Sequence, residues 1–126
     1  MESTDIQQRI KKFKASGESL TGATVYFRAD WNVFYFDLQG KMFGLMNHQA
    51  ENQAMITLKN LPIVNEELRE MYPETILPGY HTNKNHWNSI KLASLDLADE
   101  AIQFLIQRSY QLVYQKLTKK QQADIH

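Results

Sequence analysis

The chain has 126 residues, 43% hydrophobic and 22% charged, and its fourteen basic and fourteen acidic side chains leave no net charge. That balance describes a globular domain with one core and excludes a disordered chain. There is no cysteine, which excludes disulfides, thiolate zinc sites and a thiol nucleophile; zero net charge removes the broad electrostatic footprint of a non-specific DNA binder, so any nucleic-acid site has to be a local patch. No repeat, low-complexity tract or Pro/Gly-rich linker divides residues 1–126, so a single domain is expected. The opening Met1-Glu2-Ser3-Thr4-Asp5 runs into a polar helical pattern without an apolar stretch. The expectation is a cytoplasmic protein with no membrane partner.

Ile6, Ile10 and Phe13 recur at helical spacing, Thr4 with Gln7 makes a capping-box pair, and Gly17 suits a left-handed terminus, so a helix is predicted over Asp5 to Ser16. The run Thr24-Val25-Tyr26-Phe27 has strand composition but is interrupted at Arg28-Ala29-Asp30, and reads as an extended lead-in. Val33 to Leu38, the turn residues Gln39-Gly40 and Met42 to Met46 describe a β-hairpin. Ala54, Ile56 and Leu58 then alternate with Met55, Thr57 and Lys59 as a strand buried on one face.

Leu61, Val64, Leu68 and Met71 predict a second helix, capped at Asn60 or alternatively at Asn65, with Pro62 in its first turn and Pro73 beyond its end. Two further strands flank the polar segment from Tyr80 to Asn88. The longest helix is predicted from a cap at Asp96, with Ala98, Ala101, Ile102, Leu105, Ser109, Leu112, Val113 and Leu117 on its inward face. The tail Lys119-Lys120-Gln121-Gln122 is expected to fray. The order α-β-β-β-α-β-β-α specifies an α+β fold of two layers, an antiparallel sheet with helices on one face.

Pro78-Gly79-Tyr80-His81-Thr82-Asn83-Lys84-Asn85-His86-Trp87-Asn88 resembles the signature P-G-Y-H-x-N-K-x-H-W-N of the MmcQ/YjbR family. Gly40-Lys41-Met42-Phe43-Gly44-Leu45 and Leu68-Arg69-Glu70-Met71-Tyr72-Pro73 resemble pieces of the same family, while Ala29-Asp30-Trp31-Asn32 matches it more loosely. The resemblance implies a fold similar to the type III secretion chaperones, and carries the family's label of predicted "double-wing" DNA-binding proteins. It implies no catalytic residue, metal or cofactor.

The signature is dense in hydrogen-bonding and stacking groups. Lys84 suits a phosphate, Asn83 and Asn85 suit phosphate or base edges, and Tyr80 or Trp87 suits an unpaired base. The same residues have a structural reading, in which asparagines satisfy a tight turn and Trp87 fills the core. His81 and His86 are two imidazoles without further ligands nearby in sequence, too few for a metal site. No nucleophile-elbow, phosphate-loop or dinucleotide motif is present, so no enzyme is expected.

Two functions lead, with an unrecognised enzyme ranked third. One is a DNA-binding module using Tyr80, His81, Asn83, Lys84, Asn85, His86, Trp87 and the hairpin's Lys41; the other is a module that binds a protein or small ligand through the sheet face and the Tyr80 to Asn88 turn. Charge placement discriminates them. Lys41, Lys59, Lys84 and Lys91 gathered on one face favour DNA, whereas a concave apolar pocket beside Tyr80 and Trp87 favours a ligand.

Overall fold

The computed structural model describes residues 1–126. Its elements are α1 (Ser3–Glu18), β1 (Ala23–Arg28), β2 (Val33–Leu38), β3 (Lys41–Asn47), β4 (Met55–Lys59), α2 (Pro62–Met71), β5 (Ile76–Pro78), β6 (Trp87–Lys91), α3 (Asp99–Lys116) and α4 (Lys119–Ile125). All strand pairs are antiparallel, in the order β1-β2-β3-β4-β6-β5. This is the α+β class that the sequence pattern specifies, with one strand and one helix more than expected.

The added strand is β1. Thr24 to Phe27 is not a lead-in: it pairs in continuous register with β2, from Ala23 opposite Leu38 to Arg28 opposite Val33. Arg28-Ala29-Asp30 begins the turn that joins the two strands, so its polarity marks a strand end. The added helix is α4, in place of a frayed tail. Thr118 Oγ1 accepts from the Gln121 N–H at 3.1 Å while Gln121 Oε1 accepts from the Thr118 N–H at 3.0 Å, a reciprocal cap.

Other predicted caps are corrected. α1 begins at Ser3 without a side-chain cap, so Thr4 and Gln7 form no capping box. Gly17 lies within α1, where it is buried because a Cβ there would sit 2.6 Å from the Phe36 ring; close packing requires the glycine, and no left-handed turn does. Ala98, not Asp96, precedes α3, and the Asp96 carboxylate accepts from the Thr75 hydroxyl. α2 starts at Pro62 after Leu61, and Asn60 Oδ1 accepts from the Leu61 N–H at 2.8 Å.

The hairpin turn behaves as its residues require. Gln39 and Gly40 have φ of 52° and 81°, the mirror-image turn that matches the twist of its strands. Strand alternation then sends Val25, Phe36, Met46, Ile56, Leu58 and Ile90 to one face, where Ile6, Ile10 and Phe13 of α1 and Ile102, Ile106 and Val113 of α3 cover them. Phe36 and Phe43 meet edge to face at 5.5 Å. α2 packs on the same face over β5 and β6.

Two buried polar side chains tie the helices to the sheet. Ser109, fully buried on α3, donates to Phe43 O at 2.6 Å and accepts from the Lys59 N–H at 2.9 Å. Arg9 of α1 donates to the carbonyls of Leu92, Ser94 and Leu97 at 2.8, 3.0 and 2.6 Å, and to Asp99 Oδ1 at 2.8 Å. Its guanidinium thereby satisfies three carbonyls of the segment between β6 and α3. No helix is long and apolar enough to cross a membrane.

The inward stripe of α3 is rotated from the predicted one. Ile102 and Val113 are buried, Ile106 joins them, and Leu105 and Leu112 are only half-buried, Leu105 because it borders an open groove between α3 and α2. Ile106→Ala is expected to cost about 2–5 kcal/mol in urea denaturation, and Leu105→Ala distinctly less. Hydrogen bonds from Lys12 and Arg9 hold the Asp99 carboxyl below its ordinary pKa. Its contribution is thus present above the unfolded carboxylate range and is lost as pH falls through the lower folded value. Asp99→Asn is expected to be about 1–2 kcal/mol less stable at pH 7, with the difference closing below about pH 4.

Candidate functional site

All helices lie on one face, so the other face of the sheet meets solvent. Strand register lines up Tyr26, Tyr35, Leu45, Thr57, Ser89 and Leu77 across all six strands on that face. At the β1 end, Tyr26 and Tyr35 have ring centroids 5.4 Å apart, and Trp31, 49% exposed, meets Tyr35 at 5.8 Å. The Arg28 guanidinium lies 3.6 Å above the Trp31 ring and is paired with both oxygens of Asp30 at 3.0 and 2.8 Å. That pairing holds the Asp30 carboxyl below its ordinary range, and burial pushes the Tyr35 phenol up. The cation is stacked and already neutralised.

The signature segment closes the other end of the face. Gly79 donates to Trp87 O at 2.9 Å, and the Tyr80 N–H donates to Ser89 Oγ at 3.0 Å, which folds the loop onto the open face. Ser89 Oγ is also 2.7 Å from Thr57 Oγ1, so these buried hydroxyls form a hydrogen-bonded pair beneath the loop. A Cβ on Gly79 would meet Thr82 Oγ1, Trp87 Cβ at 2.6 Å and Trp87 O at 2.9 Å, so only glycine fits this crossing. Tyr80 is 61% exposed, and with His81 it overhangs a hollow of about 70 Å³ floored by Val33, Leu45, Met55 and Thr57. His81 adopts φ of 60°, a left-handed conformation uncommon outside glycine but one that histidine adopts more readily than most residues.

The polar residues of the loop divide by role. Asn83 closes the turn: its carbonyl accepts from the His86 N–H at 3.1 Å and its Oδ1 from the Asn85 N–H at 3.0 Å. The Asn85 carbonyl accepts from Asn65 Nδ2 at 3.2 Å, and the same Asn65 nitrogen donates to Asn60 O at 3.2 Å. Asn88 Nδ2 in turn donates to Asn65 O at 3.2 Å, while its buried Oδ1 has no protein partner. Three buried asparagines from the β4 end, α2 and β6 therefore clamp the loop. The His86 carbonyl joins this clamp by accepting from the Asn60 N–H at 3.0 Å.

Lys84 is exposed and donates to Gly79 O at 3.2 Å, while its own carbonyl accepts from Arg69 at 3.0 Å. Trp87 is half-buried, with Lys59 at 5.9 Å over its ring. Lys59 and Lys91 share the open face but at opposite ends of the β4–β6 pair, whereas Lys41 is at the hairpin opposite Leu38, whose side chain points to the core layer. The four lysines thus do not gather on one face. The hollow that exists lies beside Tyr80 and His81 and does not include Trp87. His81 and His86 belong to no group of three or more His, Asp or Glu side chains.

Tyr26, Arg28, Trp31, Tyr35 and Met55 complete this face and do not follow from the signature. Their sequence signal is the outward set of the strand alternation, which becomes visible once β1 is recognised as a strand.

An antiparallel sheet with one helical layer and a looped, aromatic open face defines a class of α+β protein. The structure is similar to that of a Deinococcus radiodurans protein of the DUF419 domain family, with a TM-score of 0.84 and 27% identity, covering 95% of this chain and 89% of the other. A Pseudomonas syringae protein shares the fold at a TM-score of 0.66 and 22% identity, over 81% and 96% of the two chains. The YjbR family model matches residues 18–112, and this chain belongs to that family. YjbR of Escherichia coli K12 is 30% identical over 90 residues, 71% of this chain and 74% of its own; YyaQ of Bacillus subtilis is 43% identical over 82 residues, 65% of each. Both relatives are described as uncharacterized proteins, so family membership brings no activity with it.

The asparagine clamp makes a separate prediction. Asn65→Ala removes the donor shared by Asn60 O and Asn85 O and is expected to cost about 2–3 kcal/mol. Hydrogen exchange at the Asn60 and His86 amides is expected to accelerate more than exchange in β2 and β3.

Proposed function

We propose that this chain is a non-catalytic binding module whose contact surface is the open sheet face, and that its partner is a polypeptide. The observation that carries the reading is the composition of that face: Tyr26 and Trp31 are exposed at the β1 end, with Arg28 stacked on Trp31 over the buried Tyr35, and exposed Tyr80 stands with Met55 at the hollow toward the other end. Tyr, Trp, Met and Arg are the side chains enriched at the centres of protein interfaces, where lysine and carboxylates are depleted. Arg28 brings little free charge because Asp30 already pairs with it. Stacked on Trp31, it supplies a flat surface, and the unpaired cations of the face, Lys59 and Lys91, lie at opposite ends of the β4–β6 pair.

A second reading is nucleic-acid binding, favoured by one feature of the same face. Aromatic rings beside cations, Trp31 under Arg28 and Trp87 under Lys59, are the groups on which unpaired bases stack. Duplex DNA fits less well, because most of its non-specific affinity comes from phosphate neutralisation and the lysines are dispersed. On this reading Lys84 meets a phosphate by giving up its single bond to Gly79 O.

Fluorescence titration of the full chain separates the two. A peptide selected from a random displayed library is expected to bind with affinity nearly independent of salt and to lose about tenfold or more on Trp31→Ala or Tyr80→Ala. Mixed single- or double-stranded DNA is expected not to bind at micromolar protein and low salt. If DNA binds with a log–log salt slope of about −2 to −4, reduced by about one in Lys84→Ala, the nucleic-acid reading replaces the polypeptide one.

A further inference from the structure

On the opposite side of the molecule, α2 and α3 leave a groove between them that has no part in the open face. It encloses about 450 Å³ and is lined by Val64, Leu68 and Met71 of α2 and by Ala101, Phe104 and Leu105 of α3. Met71 is 65% and Phe104 64% exposed, although each projects from a helix flank that packs inward on its other side. Solvated apolar side chains of this size around a concavity are the usual form of a small-molecule site between helices.

Two polar residues line it. Asn60 is already occupied by the Leu61 N–H, whereas Arg108 is half-buried at the rim and makes one long contact, 3.4 Å to Gln111 Oε1. Arg108 takes part in none of the ion pairs of the molecule, which join Arg9 and Lys12 to Asp99, Lys14 to Glu18 and Arg28 to Asp30. An apolar trough ending at one unpaired guanidinium is complementary to an amphipath with one anionic head. The trough also sets a length. Val64 and Met71 are seven residues apart on α2, about 10 Å along the helix. An extended chain of roughly eight carbons covers that span at bond lengths near 1.5 Å.

We infer that the α2–α3 groove binds a free medium-chain carboxylate, with its chain along Val64, Leu68, Met71 and Leu105 and its head on Arg108. Two carboxylate oxygens match the paired N–H groups of the guanidinium, and the neutral alcohol of equal length lacks that match. This site stands whether or not the open face binds a polypeptide.

The test is a two-dimensional amide NMR titration of the full chain with sodium octanoate and, in parallel, 1-octanol. Octanoate is expected to bind saturably, shifting the amides of Val64, Leu68, Met71, Ala101, Phe104 and Leu105, and to bind more tightly than octanol. Arg108→Ala is expected to weaken octanoate roughly three- to fivefold while leaving octanol unchanged. Ala101→Phe, which fills the groove, is expected to abolish binding of both; should that variant not fold, the wild-type shift map and Arg108→Ala decide alone. Non-saturable shifts, shifts outside the groove, or octanol binding as tightly as octanoate would overturn the inference. So would a self-associated chain, seen by sedimentation, that octanoate fails to dissociate through this face.

Discussion

A six-stranded sheet with helices on only one side has to satisfy two solvents at once. The covered face can be made wholly apolar, as Phe36, Met46, Ile56 and Ile90 make it. The uncovered face must tolerate water without inviting a second sheet. Here it does so with side chains that are large but polar at one end, Tyr26 and Trp31, which stand over the buried Tyr35, and with a loop drawn across the remaining strands. Most features of the candidate site follow from that division.

The loop needs support because it crosses the sheet with few apolar contacts of its own. Hydrogen bonds supply it from two directions. Ser89, itself paired with Thr57, holds the Tyr80 amide from beneath, and Asn65 holds the Asn85 carbonyl from the α2 side. The Asn83 and Asn88 side chains therefore have protein partners that explain their presence, whereas Asn85 is held through its backbone alone. The groups left free to meet a ligand are the Tyr80 and His81 rings, with the Lys84 ammonium held only by a carbonyl. A motif that reads as a binding sequence is thus largely a set of braces, with a short aromatic contact at its tip.

The helical layer is held to the sheet by a different device. Arg9 fixes α1 against the segment leading into α3 through three carbonyls and Asp99, and Ser109 fixes α3 to β3 and β4. α2 has no comparable polar anchor to α3. The groove between them follows from that difference: side chains on facing flanks approach but do not interdigitate, and Phe104 and Met71 stay in water. Each face of the molecule thus carries its own exposed apolar surface, one rich in tyrosine and tryptophan, the other a groove with an unpaired arginine.

Several of these elements were legible in the chain itself. The periodicity of Ile6, Ile10 and Phe13, the Gln39-Gly40 turn and the alternation of Ile56 and Leu58 specify α1, the hairpin and β4, because each depends on neighbours a few residues away. The signature residues carry the family. Tertiary structure alone decided that Thr24 to Phe27 is a strand, since an edge strand takes its backbone bonds from β2 and not from its own sequence. It also moved Gly17 from a helix terminus to a packing contact with Phe36, and turned the inward stripe of α3 toward Ile106. The roles of Lys41, Lys59, Lys84 and Lys91 were open for the same physical reason: charge acts through distance in space, and residues close in a motif or alike in type are brought together or kept apart only by strand register.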